Sequence, residues 1–209
     1  MTVTKSQIYL LNVASGKSVE AILYDAIQPN HTHDADTKWK EHFDAVSQSK
    51  GVSAKQLKMV EESSHWNWSA KFQATAGQLI YQSFAIECDR VTQGLMITNS
   101  DGKACKIEAQ KNKPLVYVEY LEVAPWNRPS LGTQRYKWVG KTMIAAAIQT
   151  SIDLDFKGRI GLHSLPQADQ FYINICGMTD LGQDAAYKGQ LRYLEMTSEQ
   201  AYNFLRRKP

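Results

Sequence analysis

LVYVEYLEVAP at residues 115–125, then QRYKWVGK at residues 134–141 opening an alanine-rich run to residue 152, is the stretch that decides the fold. Residues 115–123 are rich in β-branched and aromatic side chains and apolar on both faces, as expected of a central strand covered by helices. Ala124-Pro125 ends it. Residues 130–139 read as a loop. Residues 140–152 read as a helix whose Ile144, Ile148 and Ile152 form one stripe beside three consecutive alanines that permit close packing. Residues 156–158 close that unit and 159–165 form a short strand, so two strands are joined through a helix as a crossover. Further on, 168–175 read as a second helix and 190–195 as a closing strand. Thr197 with Gln200 makes a capping box for a last helix through Leu205. Toward the N-terminus, residues 6–13 read as a strand and 18–27 as an amphipathic helix with Val19, Ile22, Leu23 and Ile27 on one side. Trp39, Phe43 and Val46 recur at helical spacing within the polar segment 29–58, of which 50–58 reads as a connector or short helix. From Trp66 to Thr98 apolar and polar residues alternate in pieces (66–72, 79–87, 95–98), which suggests two or three antiparallel strands, and 99–102 is a turn. The order is α/β or α+β with a mixed sheet.

The chain has 209 residues, 43% apolar and 22% charged, values of a globular domain that buries a core without staples. Cys88, Cys105 and Cys176 are odd in number and widely spaced, which fits neither a zinc site nor a disulfide framework and suits a reducing cytoplasm. No apolar run approaches the length needed to span a bilayer, so secretion and membrane insertion are not expected. A net charge of +3 is too mild to argue for nucleic acid. Its distribution is more telling: residues 1–100 hold 9 basic and 10 acidic side chains, residues 101–209 hold 15 and 11. Within 126–141, Arg128, Arg135, Lys137 and Lys141 have no acidic neighbour. That stretch would suit a small polyanion, or be a solvated loop.

The segment 134–141 lies between a central strand and a helix. Amides at a helix start have no internal acceptor and point outward with the positive end of the dipole, so this turn can cradle a phosphate. The physics allows a nucleotide, a dinucleotide or the pyrophosphate of CoA. The sequence His31-Thr32-His33-Asp34-Ala35-Asp36 has ligand residue types without a partner motif, and no metal is expected. Cys176 reads as a buried, inert thiol, and His65-Trp66-Asn67-Trp68 as core or interface.

Residues 115–195 resemble the GNAT superfamily of N-acyltransferases. The resemblance is carried by an ordered series: Val123-Ala124-Pro125, Arg135-Tyr136-Lys137-Trp138-Val139-Gly140, the helix 140–152, the strand 159–165, Ala168-Asp169-Gln170-Phe171-Tyr172, and Gly177-Met178. Three departures stand out. Trp138 occupies the first glycine position of the loop, Leu165 stands where an asparagine often precedes the alanine, and one extra residue separates Tyr172 from Gly177. The resemblance implies a mixed, mostly antiparallel sheet flanked by helices, with two central parallel strands that splay apart. It also implies a single domain over 1–209, in which 114–209 bind acyl-CoA and the enlarged 1–113 shape the acceptor side.

The family's mechanism then maps onto this chain as expectations. Acetyl-CoA or another acyl-CoA would be the co-substrate, its pantetheine arm bonded to the backbone of Leu121, Glu122 and Val123 and its pyrophosphate over Arg135, Tyr136, Lys137, Trp138, Val139, Gly140 and Lys141. A primary amine would attack the thioester directly, with Tyr172 as the general acid. Glu122, Glu119 and His163 are the base candidates, Glu122 first because it lies nearest the strand end; its other reading is a structural carboxylate bound to Arg128 or Arg159. Trp126 and Asn127 would line the acceptor pocket, or anchor the loop. The expected partners are a CoA thioester and a small or polypeptide amine, with neither nucleic acid nor membrane, in a monomer or homodimer. The rivals are a non-catalytic acyl-CoA-binding or protein-interaction module on the same fold, and a nucleotide-phosphate enzyme, which would lack a Gly-x-x-x-x-Gly-Lys-Ser/Thr loop.

Overall fold

The computed structural model of the chain describes residues 3–51, 53, 56, 61–187 and 189–207. Among these residues nine strands form one mixed sheet in the order β6-β1-β2-β3-β4-β5-β7-β9-β8, mostly antiparallel, with β5 and β7 as a parallel pair. The strands are β1 Lys5–Asn12, β2 Lys17–Tyr24, β3 Tyr81–Cys88, β4 Val91–Asn99, β5 Val116–Val123, β6 Tyr136–Lys137, β7 Ile160–Ser164, β8 Thr179–Gln183 and β9 Arg192–Met196. Among the described residues the α-helices are α1 Pro29–Asp34, α2 Lys40–Lys50, α3 Trp68–Thr75, α4 Val139–Asp153 and α5 Ser198–Arg206. Among the described residues no helix is long and apolar enough to cross a membrane. The chain divides into two compact units, Met1–Ile97 with Tyr120–Met143, and Thr98–Glu119 with Ile144–Pro209.

In the first unit β4 is buried along nearly its whole length, and because both of its faces are covered its sequence shows no period of two. Leu95 and Ile97 point into a cluster with Trp39, Trp68, Ala85 and Ala124, to which the helical segment Ala35–Trp39 and α3 contribute. Gly94 points to the other face, where a Cβ would come within 2.8 Å of Val139 Cγ1 and 3.2 Å of Met143 Cε. The glycine therefore lets the first turn of α4 lie directly on the sheet. α1 and α2 are linked by a π-helical turn, Ala35–Trp39, from which Trp39 reaches the core and donates its indole N–H to the Thr92 carbonyl at 3.1 Å.

In the second unit β7 runs antiparallel to β9 over its five residues. Cys105, Leu115, Tyr117 and Tyr193 make one buried cluster. The helix α5 begins as its sequence requires, with Thr197 and Gln200 capping one another.

Four sequence expectations are corrected. Residues 17–24 form a strand rather than a helix, paired with β1 from Lys5↔Tyr24 to Asn12↔Lys17 across a turn with Gly16 at φ +65°. An eight-pair ladder satisfies more of this short segment's backbone than an isolated helix, whose nucleation is costly. Residues 68–75 form a helix rather than a strand: Asn67 Oδ1 accepts from the Ala70 N–H at 2.7 Å, and Asp36 accepts from the amides of Trp68 and Ser69 at 2.8 and 2.9 Å. Trp68 and Phe72, read as alternate strand positions, are also four apart, so they share a helix face as well. The loop 130–139 contains β6, which pairs with the end of β1. Within 168–175, a 3-10 turn Pro166–Ala168 leads to a π-helical turn Phe171–Cys176. The strand β8 was not foreseen, because Thr179–Gln183 carries a single large apolar residue, Leu181. Most of the connector expected at 50–58 lies outside the described residues.

Candidate active site

The site in the first unit grows from the end of β5. The parallel register pairs Val116, Tyr117 and Val118 with Ile160, Gly161 and Leu162 and stops there, while β5 itself continues to Val123. Beyond the strand, the Ala124 N–H donates to the Gln93 carbonyl at 2.8 Å, and Pro125–Asn127 form a 3-10 turn.

Glu122 is buried, and both of its oxygens are engaged. Oε1 accepts from Arg128 Nη2 and Oε2 from Trp68 Nε1, each at 2.5 Å. Arg128 also donates Nη1 to Glu61 Oε2 at 2.8 Å and to Ser63 Oγ at 3.0 Å, and its Nε to the Val123 carbonyl at 3.0 Å. Ser130 Oγ donates to Glu61 Oε1 at 2.5 Å. Two buried carboxylates thus share one guanidinium. Such charges persist out of water only when paired and fully hydrogen-bonded.

Lys71, on the first turns of α3, lies over the other residue of this strand face. Its Nζ is 3.5 Å from the centroid of the Tyr120 ring and 4.3 Å from that of Trp66. Burial pulls its ammonium down to about 8, against the opposing pull of the Glu122 charge. Sequence reading missed Glu61, Trp68 and Lys71 as members of this site. Asn67 is a helix-cap residue type, and reading it so would have placed Trp68 and Lys71 on one helical turn.

The basic segment is anchored by its backbone and by two buried side chains. Asn127 is a hub: its Nδ2 donates to Gln93 Oε1 and its Oδ1 accepts from the Tyr136 N–H, both at 2.9 Å. Trp126 Nε1 donates to the same Gln93 oxygen at 2.9 Å. Tyr136 is turned inward, its hydroxyl donating to Asp89 Oδ2 at 2.5 Å. Arg135 and Lys137 are exposed, Trp138 and Lys141 half-buried, and Val139 is buried. Trp138 has φ +79°, the left-handed region a glycine would normally fill. Its carbonyl accepts from the Thr142 N–H at 2.9 Å and from Thr142 Oγ1 at 3.0 Å, so the helix starts at once. The amides of Val139, Gly140 and Lys141 then have no intrahelical acceptor.

In the second unit, His163 is held at both nitrogens, Nδ1 at 2.6 Å from the Tyr117 hydroxyl and Nε2 at 3.2 Å from Asp184 Oδ2, with its ring stacked on Tyr187. Burial lowers its pKa, against the hydrogen bond to Asp184. Asp184 also accepts from Lys106 Nζ at 2.8 Å. Glu119 accepts from Asn99 Nδ2 at 3.2 Å. Tyr172 is buried, and desolvation pushes its phenol well above the usual tyrosine range. The residue in excess before Gly177 is taken up by the π turn: the Gly177 N–H closes onto the Tyr172 carbonyl five residues back, with Gly177 at φ +74°.

The other sequence candidates have structural partners. His31 Nδ1 accepts from the Gln28 N–H at 3.0 Å, Asp34 accepts from the Thr92 amide and hydroxyl at 2.9 and 3.0 Å, and Asp36 caps α3. No group of three or more metal-ligating side chains occurs among the described residues.

A scan against protein-family models finds no match, and a search of curated proteins finds none either. Solved structures do match. A GNAT-family acetyltransferase from Listeria monocytogenes 4b F2365 superposes at TM-score 0.53 and 11% identity, over 91% of this chain and 99% of its own. FeeM, an N-acyl amino acid synthase from uncultured soil microbes, gives 0.49 and 12%, over 88% and 93%. The PaiA N-acetyltransferase of Thermoplasma acidophilum, solved with coenzyme A, gives 0.48 and 12%, over 94% and 99%. The chain has the GNAT acetyltransferase fold.

Proposed function

We propose that the chain is a cytoplasmic acyl-CoA-dependent N-acyltransferase that transfers an acetyl or other acyl group to a primary amine by direct attack. The observation that carries this reading is the register of β5: its pairing with β7 ends at Val118 while the strand runs on through Leu121 and Val123. Backbone at residues 121–123 would then hydrogen-bond the pantetheine arm, as an added strand does. The pyrophosphate would lie on the amides of Val139, Gly140 and Lys141, with Arg135, Lys137 and Lys141 supplying charge. Tyr136 would act as scaffold, since its hydroxyl is committed to Asp89.

The acceptor amine arrives as an ammonium and must lose a proton before attack. Glu122 would draw it in and accept that proton, because each of its oxygens keeps a lone pair beyond the bond to Arg128 or Trp68. Glu119 and His163 remain the other base candidates, the latter with both nitrogens already engaged. Tyr172, whose phenol keeps its proton at neutral pH, would donate it to the departing thiolate. Positioning of the two substrates would supply much of the acceleration. Residues 1–113 would shape the acceptor side through α1, α2 and α3, and Trp126 and Asn127 would hold the loop that borders it.

The test is thermal stabilisation by acetyl-CoA against ATP, followed by thiol release with a panel of amines. Tyr172→Phe is expected to lower kcat by about 10²–10⁴-fold while acetyl-CoA binding persists. Binding without thiol release from any amine would favour a non-catalytic acyl-CoA module. Stabilisation by ATP alone would favour a nucleotide enzyme.

A further inference from the structure

The amine of Lys71 has no role in the transfer described above, yet its setting is that of a nucleophile rather than of a surface lysine. It sits on two aromatic faces, Tyr120 at 3.5 Å and Trp66 at 4.3 Å, rather than in an ion pair. The helix that carries it is fixed at its first residue: the Trp68 amide is capped by Asp36, and its indole is bonded to Glu122. Tyr120, which Lys71 covers, precedes Leu121 in β5 and shares a strand face with Glu122. We propose that Lys71 is a self-acylation site, taking an acyl group from the CoA thioester bound along residues 121–123.

This inference rests on the acyl-CoA reading of the site. In the step, the neutral Nζ attacks the thioester carbonyl, an N–C bond forms and the C–S bond breaks. The thiolate leaves as CoA, and the proton lost from nitrogen balances the one the thiol regains. Attack requires the neutral amine. A lysine held at about 8 is about one-tenth neutral at pH 7, against less than about one part in a thousand for a lysine near 10.4. Aromatic faces favour the cation, so the burial that lowers Lys71 acts against its own cradle. Acylation would remove the charge and leave an amide, with its alkyl group, against Trp66 and Tyr120. The covered strand face would then be closed to a second amine.

The full chain is incubated with acetyl-CoA and no added amine, then read by intact mass and peptide mapping. The expected product carries one acetyl group at Lys71, formed saturably in acetyl-CoA, at least about tenfold faster than at Lys17 or Lys113, and not formed after denaturation. Lys71→Arg should lose the adduct while keeping the thermal shift given by CoA. Label spread evenly over exposed lysines, alike in native and denatured protein, would overturn the proposal. So would an unlabelled Lys71 in a chain that releases thiol with added amines. A chain that neither binds acetyl-CoA nor releases thiol with any amine loses the transferase reading itself, and self-acylation with it.

Discussion

Two networks of similar composition face different solvents. In the first unit, Glu61 and Glu122 are 1% and 4% exposed and share the guanidinium of Arg128, with a hydroxyl and an indole donor on their other oxygens. In the second, Asp184 takes bonds from Lys106 and His163 near the surface, and the Lys106 side chain is 54% exposed. The same carboxylate-to-cation contact therefore carries different weight. Water compensates a broken pair at the surface, whereas a buried carboxylate that loses its partner keeps a charge nothing else neutralises.

The sharpest way to break the contrast is Arg128→Met, which strands two buried carboxylates. It is expected to cost about 3–5 kcal/mol in urea unfolding at neutral pH. A loss below about 1 kcal/mol would mean that solvent reaches the pair and that the two networks are alike. Trp68→Phe keeps an aromatic side chain but removes the indole N–H that donates to Glu122, with an expected cost of about 1–3 kcal/mol by the same measurement. A third effect is pH-dependent. Burial holds the pKa of His31 below the ordinary histidine value, and its Nδ1 must be unprotonated to accept from Gln28. The unfolded chain therefore binds the proton first, so this stability is present above about pH 6.5 and declines as pH falls below it, by no more than about 1.4 kcal/mol per pH unit. Unfolding between pH 7 and 5 in His31→Gln should show a shallower slope than in the parent chain.

The smallest effect is expected at Asp184. The Lys106 hydrogen bond, then that of His163, holds its carboxyl well below the usual range. A depressed carboxylate contributes fully above its unfolded pKa, so the parent and Asp184→Asn should differ by a constant small amount at neutral pH and begin to converge as pH falls below about 4. High salt should narrow the difference at every pH, whereas Arg128→Met should keep its cost.

The strand 115–123, the crossover helix and the capped last helix were legible because their signals are local: a β-rich run, a 3.6-residue stripe, a capping box. Residues 17–24 were not, since Val19, Ile22 and Leu23 fit a helical face and only pairing with β1 decides for the strand. The Trp66–Phe72 alternation failed for a related reason. The α3 helix is capped by the local Asn67 and also by Asp36, 32 residues before Trp68, and no local pattern carries the second contact. In the candidate site, Glu122 was visible as a carboxylate on an apolar strand, and Arg128 as a cation without acidic neighbours. Glu61 and Lys71 join it only through the tertiary fold.

The wide turn at Phe171–Cys176 makes chain length locally adjustable. A loop that closes over five residues can give up one and close over four, with Gly177 still supplying the left-handed exit. Removing Ile173 or Asn174 should tighten this segment into an ordinary α turn and leave β7 and β8 in place. An added or lost residue here would slip a linear motif out of step past Tyr172 while the backbone itself stayed in register.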